Sequence, residues 1–302
     1  MTESHDPETN GWRSTGKLGH PWRARTVSRI TRGWNYQLVM IPCFLAVVCP
    51  MIWLVSSSLK TNLELFTGAW SLPEVPQWHN YTRAWVEAGI SQYFFNSALV
   101  AAFGVTAATL LAATAAYVLA RYRFPGSDLV YLTFTAGLMV PESVGIIPLF
   151  FLMKELSLLN SHLGLIIVYA AMNLPFGVFV MYGFFRTLPS ELSDAAEIDG
   201  CSPFGTFFRV MFPLARGGIL IVAIFDFIAI WNEYLYALVL VSEEKLRTLP
   251  LGVANLNLVN RYHADWTALL AGLTIVMLPS FILYAIFQSQ FREGITLGAQ
   301  KG

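Results

Sequence analysis

Charged residues are scarce in this 302-residue chain, since Asp, Glu, Lys and Arg together make up only 13% of it. Soluble domains carry about 25% charged residues, so this chain has too few to cover a water-facing surface. Hydrophobic residues make up 55% of the sequence. The scarcity of charge therefore excludes an ordinary soluble protein and predicts that much of the surface faces lipid.

The sequence also lacks a net charge and a cysteine framework. Because 19 basic residues balance 19 acidic ones, no overall positive field points to nucleic acid as a partner. The three cysteines are Cys43, Cys49 and Cys201, and their spacing fits neither a metal site nor a set of disulfides. We therefore expect no metal site in this chain.

What the chain does contain is long apolar runs, six of which can cross a bilayer as helices of about 20 residues. Their approximate boundaries are 37–59, 94–119, 129–153, 162–185, 215–240 and 266–288. The first run is too long for a signal-peptide core and lacks a convincing cleavage site, so we interpret it as a retained span. The sequence thus predicts an all-α integral membrane protein with six transmembrane helices and both termini on one side.

Basic residues are distributed unequally between the two sides that this topology defines. Most of the Lys and Arg residues fall in the N-terminal tail, the second and fourth loops and the C-terminal tail. The positive-inside rule therefore places both termini and the fourth loop in the cytoplasm. This arrangement predicts four regions: a basic cytoplasmic tail (1–35), a first helix with an external loop (36–93), a five-helix core (94–288) and a cytoplasmic C-terminal tail (289–302).

Two local patterns concern the surroundings of the helices. Ala108, Ala112 and Ala116 recur at four-residue spacing in the second span, which favours close packing of helices in a membrane. In the external loop, Trp70, Trp78 and Trp85 are typical of a membrane interface, with a partner surface as the alternative.

The fourth loop, 186–214, contains the most informative stretch, Asp194-Ala-Ala-Glu-Ile-Asp-Gly200. Pro189 and Ser190 are typical of a helix start, and Gly200 supplies the positive φ that favours a helix end. Ser202-Pro203 then predicts a second helix, with Ser as the N-cap and Pro at the first helical position. A compact helix–turn–helix in the loop of a membrane protein indicates a docking site, with an ordinary amphipathic surface helix as the alternative.

The residue types in this loop fit a docking surface. Ala195 and Ala196 leave one side of the first helix low enough for a partner to approach closely. The second helix is predicted to carry an apolar face, which would be formed by Phe204, Phe207, Phe208 and Met211.

The spacing in this loop resembles the EAA signature of the membrane subunits of ATP-binding-cassette (ABC) importers. In that family E-A-A is followed by three residues, G, nine residues, I, one residue and L-P. The matching positions here are Asp194, Ala195, Ala196, Gly200, Val210, Phe212 and Pro213, with Asp, Val and Phe as conservative departures. The resemblance implies a type I ABC importer permease fold and a coupling helix that docks on an ATPase through Asp194, Ala195, Ala196, Glu197, Asp199 and Gly200.

Further segments resemble the carbohydrate branch of these importers. They are the run Trp231-Asn-Glu-Tyr234, Arg247–Asn255, Asp265-Trp266, Ala271-Gly272, Gly294–Gly302, Arg121–Gly126 and Ile147–Phe150. The likeness covers the chain from about residue 90 to its end and is strongest to the smaller, six-span subunit of a maltose-type heterodimeric permease. It implies a second homologous permease subunit, two cytosolic ATP-binding subunits, an extracytoplasmic solute-binding protein and a sugar substrate, in a bacterial cytoplasmic membrane.

Polar residues inside the predicted spans are candidates for a translocation pathway, because such residues are costly in lipid and tend to be functional. The candidates are Glu142, Asn173, Asp226, Trp231, Asn232, Glu233 and Tyr234. Asp226 and Glu233 are seven residues apart in the fifth span, about two helical turns, so we expect them to share a face and to lie about 10 Å apart. A polar stripe bordered by aromatic rings suits a sugar, whereas pairing with a neighbouring subunit is the structural alternative.

The chain shows no nucleotide site of its own. Gly11–Leu18 looks like a phosphate-binding loop up to Lys17, but Leu18 cannot ligate Mg²⁺ and no strand precedes it. The histidines fall in the tail, in loops or at their edges, so no catalytic residue is predicted. ATP and Mg²⁺ are therefore expected to bind to the partner ATPases that the resemblance implies, and this chain is not expected to hold a cofactor or to be an enzyme.

Two other functions remain open at this point. An ABC permease for another solute shares the loop but not the carbohydrate-branch segments. An ion-driven secondary transporter would not need the loop and would have more spans with inverted repeats.

Overall fold

The computed structural model describes residues 22–259 and 265–299, and every regular element in them is helical. The helices are α1 (Trp22–Ser58), α2 (Asn62–Thr67), α3 (His79–Thr82), α4 (Ile90–Arg121), α5 (Ser127–Gly137), α6 (Ile146–Glu155), α7 (His162–Thr187), α8 (Glu191–Ile198), α9 (Pro203–Thr206), α10 (Phe212–Leu214), α11 (Arg216–Trp231), α12 (Leu235–Leu240), α13 (Leu249–Val259) and α14 (Trp266–Ala299). Single π-helical turns cover Arg83–Glu87 and Phe207–Met211, and short 3₁₀ segments cover Glu142–Gly145 and Glu244–Leu246.

Four stretches of helix are long and apolar enough to cross a membrane, namely Gln37–Ser58, Ile90–Arg121, His162–Thr187 and Trp266–Gln288. They coincide with the first, second, fourth and sixth predicted spans. A fifth arises if Pro203–Leu214 and Arg216–Trp231, which are bent by 77° at the break between them, count as one span. The all-α membrane architecture is confirmed for the described residues, whereas the count of six spans stays a prediction.

The third predicted span, 129–153, is interrupted in the middle. α5 ends at Gly137, and α6 begins only at Ile146 after the 3₁₀ segment. Pro141 causes the break, because it has no backbone N–H and disfavours helical geometry at Val140 before it. Glu142 is the first residue of the 3₁₀ segment, and its side chain lies outside the described part of the chain.

The fifth predicted span, 215–240, is also not one helix. α11 ends at Trp231, and α12 begins at Leu235. The Asn232 side chain donates a hydrogen bond of 2.8 Å to the Ile228 carbonyl. It thereby satisfies one of the backbone acceptors at the C-terminal end of α11. The expectation that Asp226 and Glu233 lie two turns apart on one helix is therefore wrong.

Small residues let α4, α7 and α11 approach closely. Ala108, Ala112 and Ala116 are fully buried, which confirms the close packing predicted from their spacing. A side chain added at Gly177 on α7 would place its Cβ 2.6 Å from that of Ala112 and 3.4 Å from the Val222 side chain on α11. This contact joins three helices of the bundle, and the candidate docking loop follows directly from the end of α7.

Candidate functional site

The loop after α7 folds into two helical arms joined by a tight turn. The first arm is α8, and the second runs from Pro203 to Leu214. Gly200 has a φ of +83°, as predicted for the residue that ends the first arm. Ser202 accepts a hydrogen bond from the Gly205 N–H at 3.2 Å, which confirms it as the N-cap of the second arm. Ser190 stands at the start of α8 but makes no side-chain capping bond.

The turn itself is a Schellman motif, which fixes the angle between the two arms. The Cys201 N–H donates to the Ala196 carbonyl at 2.9 Å, and the Gly200 N–H donates to the Glu197 carbonyl at 3.0 Å. Both bonds form only when the residue after the end of the helix adopts a left-handed backbone conformation. Gly200 adopts it without the steric penalty of a Cβ atom.

The loop is packed onto the adjacent ends of α4 and α7. Met211 and Phe207 are buried, and the Phe207 ring lies 5.0 Å from that of Tyr117 on α4 and 6.3 Å from that of Phe185 on α7. The Arg121 side chain at the end of α4 donates to the Leu188 carbonyl at 2.8 Å. The second arm is therefore attached to the bundle by aromatic packing, and a displacement of the loop would act directly on α4 and α7.

The face that the loop turns outward differs in part from the predicted one. Ala195 is exposed as expected, but Ala196 is only 6% exposed and packs inward. Phe207 and Met211 also face inward, so of the predicted apolar face only Phe204 and Phe208 remain on the surface. The reason is tertiary packing. The small side chain of Ala196 and the large ones of Phe207 and Met211 pack the loop on itself and on the bundle.

Sequence reasoning missed Ile198, which is 86% exposed on α8. Its position relative to Ala196, about 200° around the helix, would have identified it once Ala196 was assigned to the inner face. The exposed surface of the loop therefore combines an apolar Ile198 and Phe204 with acidic side chains.

Those acidic side chains are Glu191, Asp194, Glu197 and Asp199, and all four are exposed. Among the side chains that the structure describes, in 37–141, 143–255 and 265–288, none of them takes part in an ion pair. An exposed surface that is acidic and apolar is suited to a partner that offers basic side chains around an apolar contact.

Of the polar residues proposed for a pathway, Asp226 lies inside the bundle. It is fully buried, and the Thr109 hydroxyl of α4 donates to its Oδ2 at 3.4 Å, while Oδ1 has no partner among the described residues. This position lies in the contact between α11 and α4 and not on an open wall.

Glu233 lies in the break between α11 and α12, where it accepts three hydrogen bonds. Its carboxylate caps α12 by accepting from the N–H groups of Tyr236 at 2.6 Å and Ala237 at 3.1 Å. The Tyr169 hydroxyl of α7 donates to it at 2.5 Å, and Asn173 donates one turn further along α7 to the Tyr169 carbonyl. Glu233 is thus linked to α7 through the Tyr169 hydroxyl, and Asn173 lies one turn from Tyr169 on that helix, whereas the hydrogen bond of Asp226 goes to α4.

The aromatic residues beside this break take different positions. Trp231 is 2% exposed, stacks on Phe227 and donates through Nε1 to the Val276 carbonyl at 3.1 Å, so it belongs to the core. Tyr234 is exposed and lines an apolar cavity of about 360 Å³. The other lining residues are Pro250, Val253, Ala254, Leu269, Leu273 and Val276. Asn232 is exposed next to it.

Replacing Glu233 tests this capping role. In Glu233→Ala two backbone N–H groups and the Tyr169 hydroxyl lose their acceptor, and each unsatisfied buried group costs about 1–3 kcal/mol. We expect a clear fall in the melting temperature of the purified protein. Glu233→Gln is a graded comparison: its amide oxygen can keep the Tyr169 and Ala237 bonds that Oε2 accepts, but its NH₂ group then faces the Tyr236 N–H, so it should melt between Glu233→Ala and the unsubstituted chain. A Glu233→Ala variant that melts like the unsubstituted chain would show that the carboxylate does not hold the break.

Long apolar helices, with a helical hairpin exposed at one end of the bundle, define a multi-pass membrane protein. Residues 104–295 match the family described as the binding-protein-dependent transport system inner membrane component. The chain belongs to this family. It is therefore a multi-pass permease subunit of the inner membrane, and the matched range contains the whole hairpin.

Several curated relatives are similar over most of their length. The chain is 39% identical to the diacetylchitobiose uptake system permease protein NgcG of Streptomyces coelicolor, over 83% of each chain. It is 32% identical to the arabinooligosaccharides transport system permease protein AraQ of Bacillus subtilis, over 84% of this chain and 90% of that protein. It is 31% identical to the trehalose transport system permease protein SugB of Mycobacterium tuberculosis, over 84% and 92%.

A solved structure supports the fold. One chain of a bacterial ABC transporter involved in the import of the acidic polysaccharide alginate aligns with a TM-score of 0.75. The alignment covers 87% of this chain and 97% of that one at 23% identity. The type I ABC importer permease fold implied by the loop signature is thereby confirmed.

Proposed function

We propose that this chain is the permease subunit of an ATP-driven importer that moves a sugar across the bacterial cytoplasmic membrane. The sugar is an oligosaccharide or a related carbohydrate, delivered by an extracytoplasmic solute-binding protein. The observation that carries this proposal is the set of relatives that are 31–39% identical over more than four fifths of the chain and are named for diacetylchitobiose, arabinooligosaccharides and trehalose.

The remaining partners are those that the family resemblance implies, and the exposed surface of the hairpin supports the docking of one of them. Two cytosolic subunits bind ATP and Mg²⁺, and one of them receives the exposed surface of α8. A second homologous permease subunit completes the transport unit. Asp194 and Glu197 are exposed without an ion pair in the described part of the chain, which supports their pairing with basic side chains of an ATPase. Both termini and the hairpin then lie in the cytoplasm, in agreement with the distribution of basic residues.

The mechanism uses the hairpin as a rigid element. When the ATPases close on nucleotide, they displace α8, and the Schellman turn at Gly200 passes the motion to the second arm. Because Phe207 packs on Tyr117 and Phe185, the displacement reaches the ends of α4 and α7. The bundle then changes from an inward-facing to an outward-facing state, and the binding protein releases its sugar into the pathway.

Ala195→Trp tests the docking role without disturbing the packing of the loop. The bulky side chain projects from an exposed position on α8, so it should block an ATPase while the hairpin keeps its fold. We expect the tagged chain, purified in mild detergent from its native membranes, to lose its co-purified ATPase activity. Ala196→Trp is unsuitable, because Ala196 is buried and its substitution would also disrupt the loop.

Asp128→Trp is the matched control, since Asp128 is exposed at the same end of the bundle but outside the hairpin. It should retain the ATPase. If Ala195→Trp also retains full ATPase activity, the docking surface lies elsewhere. If the unsubstituted chain carries no ATPase and transports in vesicles with an ion gradient alone, it is a secondary transporter.

The substrate class is tested separately, by uptake into cells that express the complete system. We expect uptake of labelled oligosaccharides, and competition by related sugars. Uptake of an amino acid or polyamine that no sugar inhibits would identify an ABC permease for another solute.

A further inference from the structure

The segment between α1 and α4 is folded into a closed loop with a polar interior. Lys60 is fully buried, and its Nζ donates to the carbonyls of Gly68 at 2.9 Å and Ala69 at 3.1 Å. Asn80, also buried, donates to the carbonyls of Ser58 at 2.7 Å and Lys60 at 2.8 Å. These bonds hold the later part of the loop, around Asn80, against the end of α1. The loop therefore stays close to that helix end.

A second set of polar contacts ties the loop to the start of α14. The Asn62 side chain donates to Asp265 at 3.3 Å and accepts from the Thr267 N–H at 3.2 Å. Arg83 forms an ion pair with Asp265 at 2.5 Å. Since candidate membrane spans end at Ser58 and begin at Ile90 and Trp266, the loop lies at the level where three helix ends leave the bilayer.

The outer side of this loop is apolar, although it lies beyond the spans. Six large side chains between residues 63 and 78 have exposed fractions from 64% to 82%, and we call them the apolar ledge: Leu63, Phe66, Trp70, Leu72, Val75 and Trp78. Trp85, in contrast, is partly buried, with its ring 5.5 Å from that of Phe94. Of the three tryptophans, Trp70 and Trp78 thus belong to the exposed ledge, whereas Trp85 packs within the structure.

Charged groups hardly interrupt the ledge. Glu64 and Glu74 are the two acidic residues between positions 63 and 78. The Glu64 carboxylate accepts hydrogen bonds within the loop, from the N–H groups of Thr61 and Glu74. These bonds lower the pKa of Glu64 below its ordinary value, so it stays ionised and fixed to the backbone. Polar groups thus hold the loop from within, and the exposed side is left to apolar and indole side chains.

We propose that the apolar ledge lies in the lipid headgroup layer and anchors the outer end of the helix bundle to one leaflet. The hydrogen bonds keep the ledge beside three helix ends, which places it at the depth of the headgroups and not out in solvent. Tryptophan is enriched at this depth because its ring is apolar and its N–H is polar. A soluble partner would have to reach these side chains through the headgroups.

Site-directed fluorescence tests this placement in the purified transporter. In a background with Cys43→Ser, Cys49→Ser and Cys201→Ser, single cysteines are introduced as Phe66→Cys or Leu72→Cys and labelled with an environment-sensitive fluorophore. The transporter is reconstituted into phosphatidylcholine vesicles that contain a lipid with a nitroxide near its headgroup. Lys245→Cys is the depth-matched control, because Lys245 is exposed in a polar loop beside the first turn of α4 and so lies near the same helix ends without belonging to the ledge.

We expect blue-shifted emission and strong nitroxide quenching at both ledge positions, and clearly weaker effects at Lys245, with no binding protein added. Water-like, unquenched emission at Phe66 and Leu72 would overturn the proposal. So would a blue shift that develops only when a solute-binding protein is added, since the ledge would then be a protein-docking surface. Two ledge positions guard against a variant that fails to fold. The measurement needs neither transport nor ATP hydrolysis, so its result is independent of the proposed function.

Discussion

Gly200→Val is expected to uncouple sugar transport from ATP hydrolysis while leaving the chain inserted in the membrane. Gly200 has a φ of +83°, a conformation that costs an L-residue about 1–2 kcal/mol and a β-branched one more. No atom lies within 4 Å of the position that a Cβ would take, so the effect comes from the backbone and not from a clash. The turn would open, and α8 would no longer hold its angle to the second arm.

Transport and ATPase activity of the reconstituted complex measure this effect. ATP hydrolysis should persist while sugar uptake falls to a small fraction of its normal rate. Gly200→Asn is the matched control, because asparagine tolerates the left-handed region and should retain most of the transport. Normal transport by Gly200→Val would mean that the angle of this turn does not transmit the motion.

Gly177→Val is expected to prevent stable folding of the bundle. A Cβ at this position would lie 2.6 Å from the Ala112 Cβ, a distance at which the backbones of α4 and α7 have to separate. Extra methyl groups in a packed core cost about 1–3 kcal/mol, and close approach through small residues is what holds membrane helices together. The variant should elute as aggregate in size-exclusion chromatography, or melt well below the unsubstituted chain.

The same helix offers a control for this prediction. Gly183 also lies on α7, but a Cβ there would meet no atom within 4 Å, so Gly183→Val should change the melting temperature little. Adding Ala112→Gly to Gly177→Ala should restore much of the stability lost in Gly177→Ala alone, because it returns the missing space. Equal behaviour of Gly177→Val and Gly183→Val would contradict the contact between α4 and α7 described above.

Local signals in the sequence predicted the parts of this molecule that depend on few residues. Four apolar stretches were recognised by length and composition alone. Gly200, Ser202 and Pro203 each adopt the geometry that their residue type favours, so the turn between the two arms was readable without knowledge of the fold.

Features set by distant contacts could not be predicted in the same way. Ala196 faces inward because the loop packs on itself and on the bundle, and the sequence of α8 does not contain that information. Glu233 is a cap that receives a hydrogen bond from Tyr169 on another helix, so its role depends on the pairing of α7 with the break. The break at Pro141 was not predicted, because the apolar length of 129–153 fits one span and a single proline changes that length and composition little.

The second arm of the hairpin and α11 are two helical segments of different length that meet at a bend of 77°. α11 has 16 residues, so at 1.5 Å per residue it reaches about 24 Å from the bend, and a tilt of about 5° there would sweep its far end through about 2 Å. That end is Trp231, which directly precedes the break held by Glu233. Angular displacement at the hairpin would thus be converted into an arc of about 2 Å at the break that Glu233 holds.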